Sequence, residues 1–243
     1  MDRERGPPAL RRPETVVRAV IFDFDGVIAD TEWLHSETFR RVLAEEGISV
    51  AAGEHDERFL GINDRAGFAK AFWEVGRSLS PVDRRALLDR KSADDSARIA
   101  EVKPYRGARE IIEALSARCP LAIASGGRAA EIDAVLRAHG LREHFLAIAS
   151  AGDVERSKPA PDAFLAALER LRRAAPARAN GLRPAGCLAI EDSLPGIEAA
   201  KAAGMRCLAV AHTYPPEKLA AADRVARSIG ELRAEEILGS LPR

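Results

Sequence analysis

The chain has few cysteines, no excess charge of either sign and no long apolar run, and each scarcity excludes a class of protein. Cys119, Cys187 and Cys207 are the only three cysteines in 243 residues, and none stands in a C-x-x-C spacing. Neither a zinc site nor a disulfide framework is indicated. Cys187 and Cys207 each open a short apolar run and read as small buried hydrophobes, and so sparse and uneven a count suits a reducing compartment. Lys plus Arg and Asp plus Glu both total 37, which leaves no global field toward nucleic acid or acidic membrane. No basic stretch is interleaved with aromatics as nucleic-acid binding requires. No apolar run approaches the ~20 residues of a membrane helix. Residues 1–14 are rich in Arg and Pro without an apolar stretch, and read as a disordered tail, not a secretory signal. The expectation is a soluble, cytoplasmic protein that binds neither nucleic acid nor membrane.

What is present is ordinary for a globular domain: 47% apolar and 30% charged residues, in a chain long enough for a core plus a smaller inserted domain. Short apolar runs recur at Val16–Phe22, Leu121–Ala124, Leu146–Ala149, Cys187–Ile190 and Cys207–Ala211, with a weaker one near Arg224–Ala226. Gly, Pro, Asp or Ser bound them, as they bound buried strands. Helical patterns lie between: Gly107–Arg118, Arg128–His139, Pro161–Arg173 and Leu194–Ala203, with Gly140 and Gly204 where a helix would stop. This alternation predicts an α/β fold, a doubly wound parallel sheet covered on both faces. From Thr31 to Lys103 the rhythm breaks and helical patterns dominate: Trp33–Glu46, Asp64–Val75 and Pro81–Ala100. Residues 31–103 therefore read as an inserted α-helical domain, and residues 15–30 and 104–243 as the sheet domain. The helices of residues 31–103 carry no heptad seam, so no coiled-coil dimer is implied, and a monomer or weak homodimer is expected. The Ala-, Arg- and Pro-rich stretch Arg172–Pro184 reads as a mobile surface connection.

Ligands bind at the carboxyl ends of strands in such sheets, and the chemically suspicious residues follow the apolar runs. Asp23 and Asp25 stand at i and i+2 after the first. Paired carboxylates there call for a cation with oxygen ligands; the bland alternative is a solvated Asp-Gly turn. Ser125-Gly126-Gly127-Arg128 follows the second run and opens a helix. It offers a hydroxyl and backbone N–H groups to a phosphate, or is simply a turn and N-cap. Lys158 sits in the proline-framed loop Ser157–Pro161. Glu191 and Asp192 give a second acidic pair, with an N-cap for the next helix as the alternative or coexisting role.

Together these pieces resemble the four motifs of the haloacid dehalogenase superfamily, in order and in position, from about Val16 to Ser228. The helical insertion resembles the so-called C1 cap of that superfamily, and the core would be its Rossmann-like domain. The resemblance implies a Mg²⁺-dependent phosphomonoester hydrolase with Asp23, Asp25, Ser125 and Lys158 as catalytic residues. Asp23 would attack phosphorus and Asp25 would serve as acid and base, while Ser125 and Lys158 hold the phosphoryl oxygens. Mg²⁺ would be held by Asp23, the Asp25 carbonyl, Asp192 and Glu191. Dehalogenases lack an acid at the Asp25 position, so phosphoryl transfer is implied.

Within the superfamily the chain is similar to the beta-phosphoglucomutase-like and phosphoglycolate phosphatase-like subgroup. Thr31, His35, Arg65 and Lys91 carry that likeness and, with Gly126, Gly127 and Arg128, would contact a small phosphate-ester substrate. Arg65 and Lys91 read equally as surface charges. The substrate implied is a sugar phosphate or phosphorylated acid, and the alternative activity is that of a sugar phosphomutase. The Ser-Gly-Gly-Arg motif and the lack of an aromatic residue after Lys91 depart from the mutase pattern.

Overall fold

The computed structural model describes residues 16–59 and 62–239. The tail expected over residues 1–14, and Leu60 and Gly61, lie outside the described residues. Six strands form one sheet: β1 (Ala19–Phe22), β2 (Leu121–Ala124), β3 (Ala147–Ala149), β4 (Cys187–Glu191), β5 (Arg206–Val210) and β6 (Arg224–Ala226). Their order is β3-β2-β1-β4-β5-β6, and every neighbouring pair is parallel. The described helices are α1 (Glu32–Glu45), α2 (Ala52–Phe59), α3 (Asp64–Glu74), α4 (Pro81–Arg98), α5 (Ala108–Ser116), α6 (Ala129–Ala138), α7 (Asp162–Ala174), α8 (Pro176–Ala179), α9 (Leu194–Ala202) and α10 (Ala234–Leu238).

The period of two along each strand separates large from small side chains. Val20, Phe22, Leu121, Ile123, Leu188, Ile190, Leu208 and Val210 face one side, where they join Ile112 and Leu115 of α5, Ile132 and Leu136 of α6 and Ile237 of α10 in one core. The opposite face is built mostly from Ala and Cys, namely Ala19, Ala122, Ala124, Cys187, Ala189, Cys207 and Ala209. It packs against Phe164, Leu168 and Leu171 of α7 and Ile197 of α9. The three cysteines are free and buried, as small hydrophobes should be. The strand expected over Val16–Phe22 begins only at Ala19. Val16 and Arg18 are exposed while Val17 is buried, and continuous burial, the mark of a strand covered on both faces, starts where the ladder does.

Between β1 and β2 the described residues form helices and no strand of the sheet. Phe39, Val42, Leu43, Phe59, Phe68, Phe72 and Leu87 close a separate apolar cluster among α1–α4. Ser80 and Asn63 cap α4 and α3 by accepting from Asp83 N and Ala66 N, as N-cap residues do. Helix α2 has no sequence stripe to announce it. Its segment Ala-Gly-Glu-His-Asp-Glu-Arg-Phe is polar, and Glu54 starts it by accepting from the Ala51 N–H at 3.2 Å. The stretch Arg172–Pro184 departs from its reading as a surface connection. It holds the end of α7 and all of α8, and buries Ala179 and Leu182 in the small-residue core.

Replacing the fully buried Ile112 by Ala removes three carbons from the core. Urea unfolding of Ile112→Ala should show a loss of about 2–5 kcal/mol, with the slope of the transition unchanged.

Candidate active site

Strand β1 pairs with β2 on one side and β4 on the other. The chain winds outward in both directions from this point, so the loops after these strands splay and leave a crevice. Asp23 extends β1 by one residue, its N–H donating to Ile190 O at 2.8 Å. Phe22 is in register with Ile190, so Asp23 comes level with Glu191 at the end of β4. Ser125 leaves β2 with its N–H on Ala149 O at 2.9 Å.

Lys158 lies between the two acids: its Nζ is 2.8 Å from Asp23 Oδ1 and 2.6 Å from Glu191 Oε1. Phe164 covers it, the ring centre 5.1 Å away, a cation–π contact. Burial opposes the charge on Lys158, but Asp23 and Glu191 outweigh it and raise the ammonium pKa. Glu191 is fully buried, and its second oxygen, Oε2, accepts from Asp192 N, Ser193 N and Ser193 Oγ at 2.9, 3.1 and 3.0 Å. Helix α9 starts directly beneath: Ser193 caps it by accepting from Gly196 N, and a Cβ at Gly196 would fall 1.9 Å from the Glu191 carboxyl. Glu191 therefore orders the loop and steadies Lys158.

Asp23 and Asp192 are the acids left short of partners. Asp23 Oδ1 has the Lys158 charge beside it but no donor aligned on it in hydrogen-bond geometry. Burial, then the charges of Glu191 and Asp25, push its carboxyl up to about 8 against the pull of Lys158. Asp192 is raised as well, by burial and by the charges of Glu191 and Asp23; Thr213 donates its hydroxyl to Asp192 Oδ2. Asp23, Glu191 and Asp192 each offer an oxygen within 4.8 Å of the others. Buried oxygens short of donors and carboxyls raised by mutual repulsion fit a hard divalent cation such as Mg²⁺. Gly26 makes the approach possible: its φ of +72° is left-handed, and a Cβ there would lie 1.9 Å from Asp192 Oδ2.

Asp25 is held from two sides. Ser125 Oγ donates to Oδ2 at 3.3 Å and Thr31 Oγ1 to Oδ1 at 2.8 Å, while His35 Nε2 lies 3.9 Å from Oδ1. Thr31 is the N-cap of α1 yet makes no capping bond, because its hydroxyl is turned to Asp25. Burial works to raise the Asp25 pKa, but His35, Thr31 and Ser125 together lower it. Burial likewise opposes a charge on His35, and the carboxylates of Asp25 and Asp95 overcome it and raise the imidazole to about 10. The Ser125-Gly126-Gly127 turn is partly self-satisfied, since Gly127 N donates to Ser125 Oγ at 2.8 Å. A Cβ at Gly127 would sit 3.1 Å from Asp25 Oδ2.

The remaining residues divide. Lys91 is 2% exposed and pairs with Asp95 at 2.8 Å and Asp64 at 3.2 Å, so it is neither a surface charge nor a free cation. His35 belongs to the same cluster. Arg65 is exposed, and no hydrogen bond or ion pair joins it to the other site residues among the described residues. Arg128 opens α6 with its side chain 63% exposed and Glu131 4.0 Å away. Two functional side chains escape a sequence reading. Thr213, in the loop after β5, has no local pattern around it. Asp95 looks like part of a solvated helix face, although its spacing of four from Lys91 is the signature of a helical ion pair.

A family model described as haloacid dehalogenase-like hydrolase matches residues 20–210. Fructose-1-phosphate phosphatase YqaB of Escherichia coli is 32% identical over 76% of this chain and 92% of its own length. A phosphorylated carbohydrates phosphatase of Thermotoga maritima is 32% identical over 93% of this chain and 98% of its own. Among solved structures, CbbY from Rhodobacter sphaeroides in complex with phosphate aligns at a TM-score of 0.74 with 30% identity, covering 89% of this chain and 96% of that one.

Mg²⁺ is expected to raise the melting temperature in a concentration-dependent way, as any ligand of the folded state does. Protons compete for the same oxygens, so the rise should be larger at pH 8 than at pH 5.5. Differential scanning calorimetry of Asp192→Asn should show most of the Mg²⁺-dependent rise lost at both values.

Proposed function

The chain belongs to the haloacid dehalogenase-like hydrolase family, and from that premise we propose that it is a Mg²⁺-dependent phosphatase of small sugar phosphates that works through a phosphorylated Asp23. The observation that carries the proposal is the meeting of Asp23, Lys158, Glu191 and Asp192 in one buried cluster, with Asp25 set two residues beyond Asp23 on donors of its own. The phosphatase names borne by the relatives from Escherichia coli and Thermotoga maritima support the reaction class.

In the first half-reaction an Asp23 carboxylate oxygen attacks phosphorus, the bond from phosphorus to the ester oxygen breaks, and Asp25 gives that oxygen its proton. In the second, Asp25 takes a proton from water as the water oxygen attacks phosphorus, releasing phosphate and restoring Asp23. Lys158 and Ser125 hold the phosphoryl oxygens and offset their charge. Asp23, Asp192 and the Asp25 carbonyl, with Glu191 adding charge nearby, would hold Mg²⁺, which would supply electrostatic stabilisation of the phosphoryl group when bound. Asp25 as it stands, lowered by three donors, is in the form that accepts a proton from water. The protonated His35 beside it is the ready source for the first half.

Arg65 and Arg128, exposed at the ends of α3 and α6, are proposed to meet the substrate's polar body, and residues 31–103 to act as the cap over the site. Lys91 is spent on two carboxylates, so its part in binding runs through His35. Three free buried thiols suit the cytoplasm, where we place the enzyme.

A panel of sugar phosphates assayed with Mg²⁺ for released phosphate is the test. Asp23→Asn should lower release by at least about 10³-fold, and Asp25→Asn by about 10²–10⁴-fold. Release at the parent rate by Asp23→Asn would sink the proposal. Isomerised sugar in place of phosphate would move the enzyme to the mutases.

A further inference from the structure

We propose that Asp95 is a positioning residue for the proton-transfer step: from α4 it holds His35 of α1 so that the far ring nitrogen faces Asp25. The inference rests on the phosphatase reading, in which Asp25 carries the protons. Asp95 is 5% exposed, and three donors converge on it. His35 Nδ1 is 3.2 Å from Oδ2, Lys91 Nζ 2.8 Å from Oδ2, and Thr38 Oγ1 2.5 Å from Oδ1. A buried carboxylate this fully engaged is fixed in place. Thr38 lies one turn past His35 on α1, two past the N-cap Thr31, and is itself pinned, its hydroxyl also within 2.9 Å of Leu34 O. Asp95 is thereby tied to α1 at two points.

The two ring nitrogens of His35 have different partners, and these fix which way the ring is turned. Lys91 Nζ also lies 3.3 Å from Nδ1. It has two better acceptors, however, in Asp95 and Asp64, so Nδ1 keeps its hydrogen and donates it to Asp95. Nε2 is then the nitrogen presented to Asp25 Oδ1, 3.9 Å away. The chain of contacts runs Asp95, His35, Asp25, from α4 through α1 to the loop after β1. Without the carboxylate the ring loses the anionic acceptor behind it, and an amide oxygen in its place holds the ring toward Asp25 less firmly. Lys91 keeps Asp64, so Asp95→Asn leaves no unpaired buried charge and should fold.

A group that helps deliver a proton matters when the departing oxygen needs one and matters little when it does not. Asp95→Asn should lower kcat/KM for fructose 1-phosphate, whose alkoxide must be protonated, by about 10- to 100-fold. For para-nitrophenyl phosphate, whose phenolate leaves unaided, kcat/KM should change by less than about 3-fold. His35→Ala should reproduce this selectivity, and the double variant should be no worse than the poorer single, the sign that both act through one path. If Asp95→Asn folds poorly, Lys91→Met with Asp95→Asn, compared with Lys91→Met alone, removes the buried pair together and gives the same comparison. Equal losses on both substrates, or losses at Asp95 and His35 that multiply, would show a merely structural residue and overturn the assignment. Asp23→Asn is measured alongside. Phosphate release at the parent rate there would reject the phosphatase reading itself and the positioning role with it.

Discussion

One ammonium group, that of Lys158, sits within ion-pair distance of two buried carboxylates, and a third carboxylate, Asp192, stands beside them. A single cation cannot balance three acids in a medium of low polarity. The surplus negative charge is what the surrounding structure is organised to hold. Glu191 is neutralised by Lys158 and by three donors of its own loop, Gly26 lets the backbone come up to Asp192, and Thr213 offers it one hydroxyl. Asp23 is left with a charge neighbour and no aligned donor. The strand tips thus carry negative charge that their own donors leave uncompensated, and the sheet order that brings β1 next to β4 is the means by which one lysine reaches both acids.

Asp25 obeys a different logic, although only two residues away. Donors from two parts of the molecule surround it: Ser125 from the sheet, Thr31 and His35 from the helical segment. The two neighbouring carboxylates have opposite pKa tendencies, Asp23 raised by burial beside other acids and Asp25 lowered by the groups around it. Because Thr31 gives up helix capping to reach Asp25, the start of α1 is coupled to the reacting end of the sheet.

Much of this could be read in the sequence. Strand β2 matches its apolar run residue for residue, and Asp23, Ser125, Lys158 and Glu191-Asp192 all follow strands or stand before helices, where local pattern speaks. The reading weakened where tertiary packing decides. The run Val16–Phe22 gave no sign that the second sheet cover begins only at Ala19. The polar α2 hid behind a segment without a stripe, and Ala179 and Leu182 made a buried corner of what looked like a loose connection. Lys91 and Asp95 show the limit best. Each is an ordinary polar residue of an amphipathic-looking helix, and only the packing of α1 on α4 turns them into a buried pair behind His35. Thr213 had no neighbour in sequence to betray it.

The chain leaves the sheet for α1 and comes back to it at nearly the same point. Ala29 bridges Pro104, Asp30 N donates to Lys103 O at 3.1 Å, and Tyr105 N to Ile28 O at 2.9 Å. An excursion whose two ends are stitched together is closed by the seam itself: beyond Thr31 and His35, its length and shape can vary while the sheet closes around the same short seam. Such a seam lets the helices beyond the first turns of α1 be lengthened or reshaped while the acids at the strand tips keep their places.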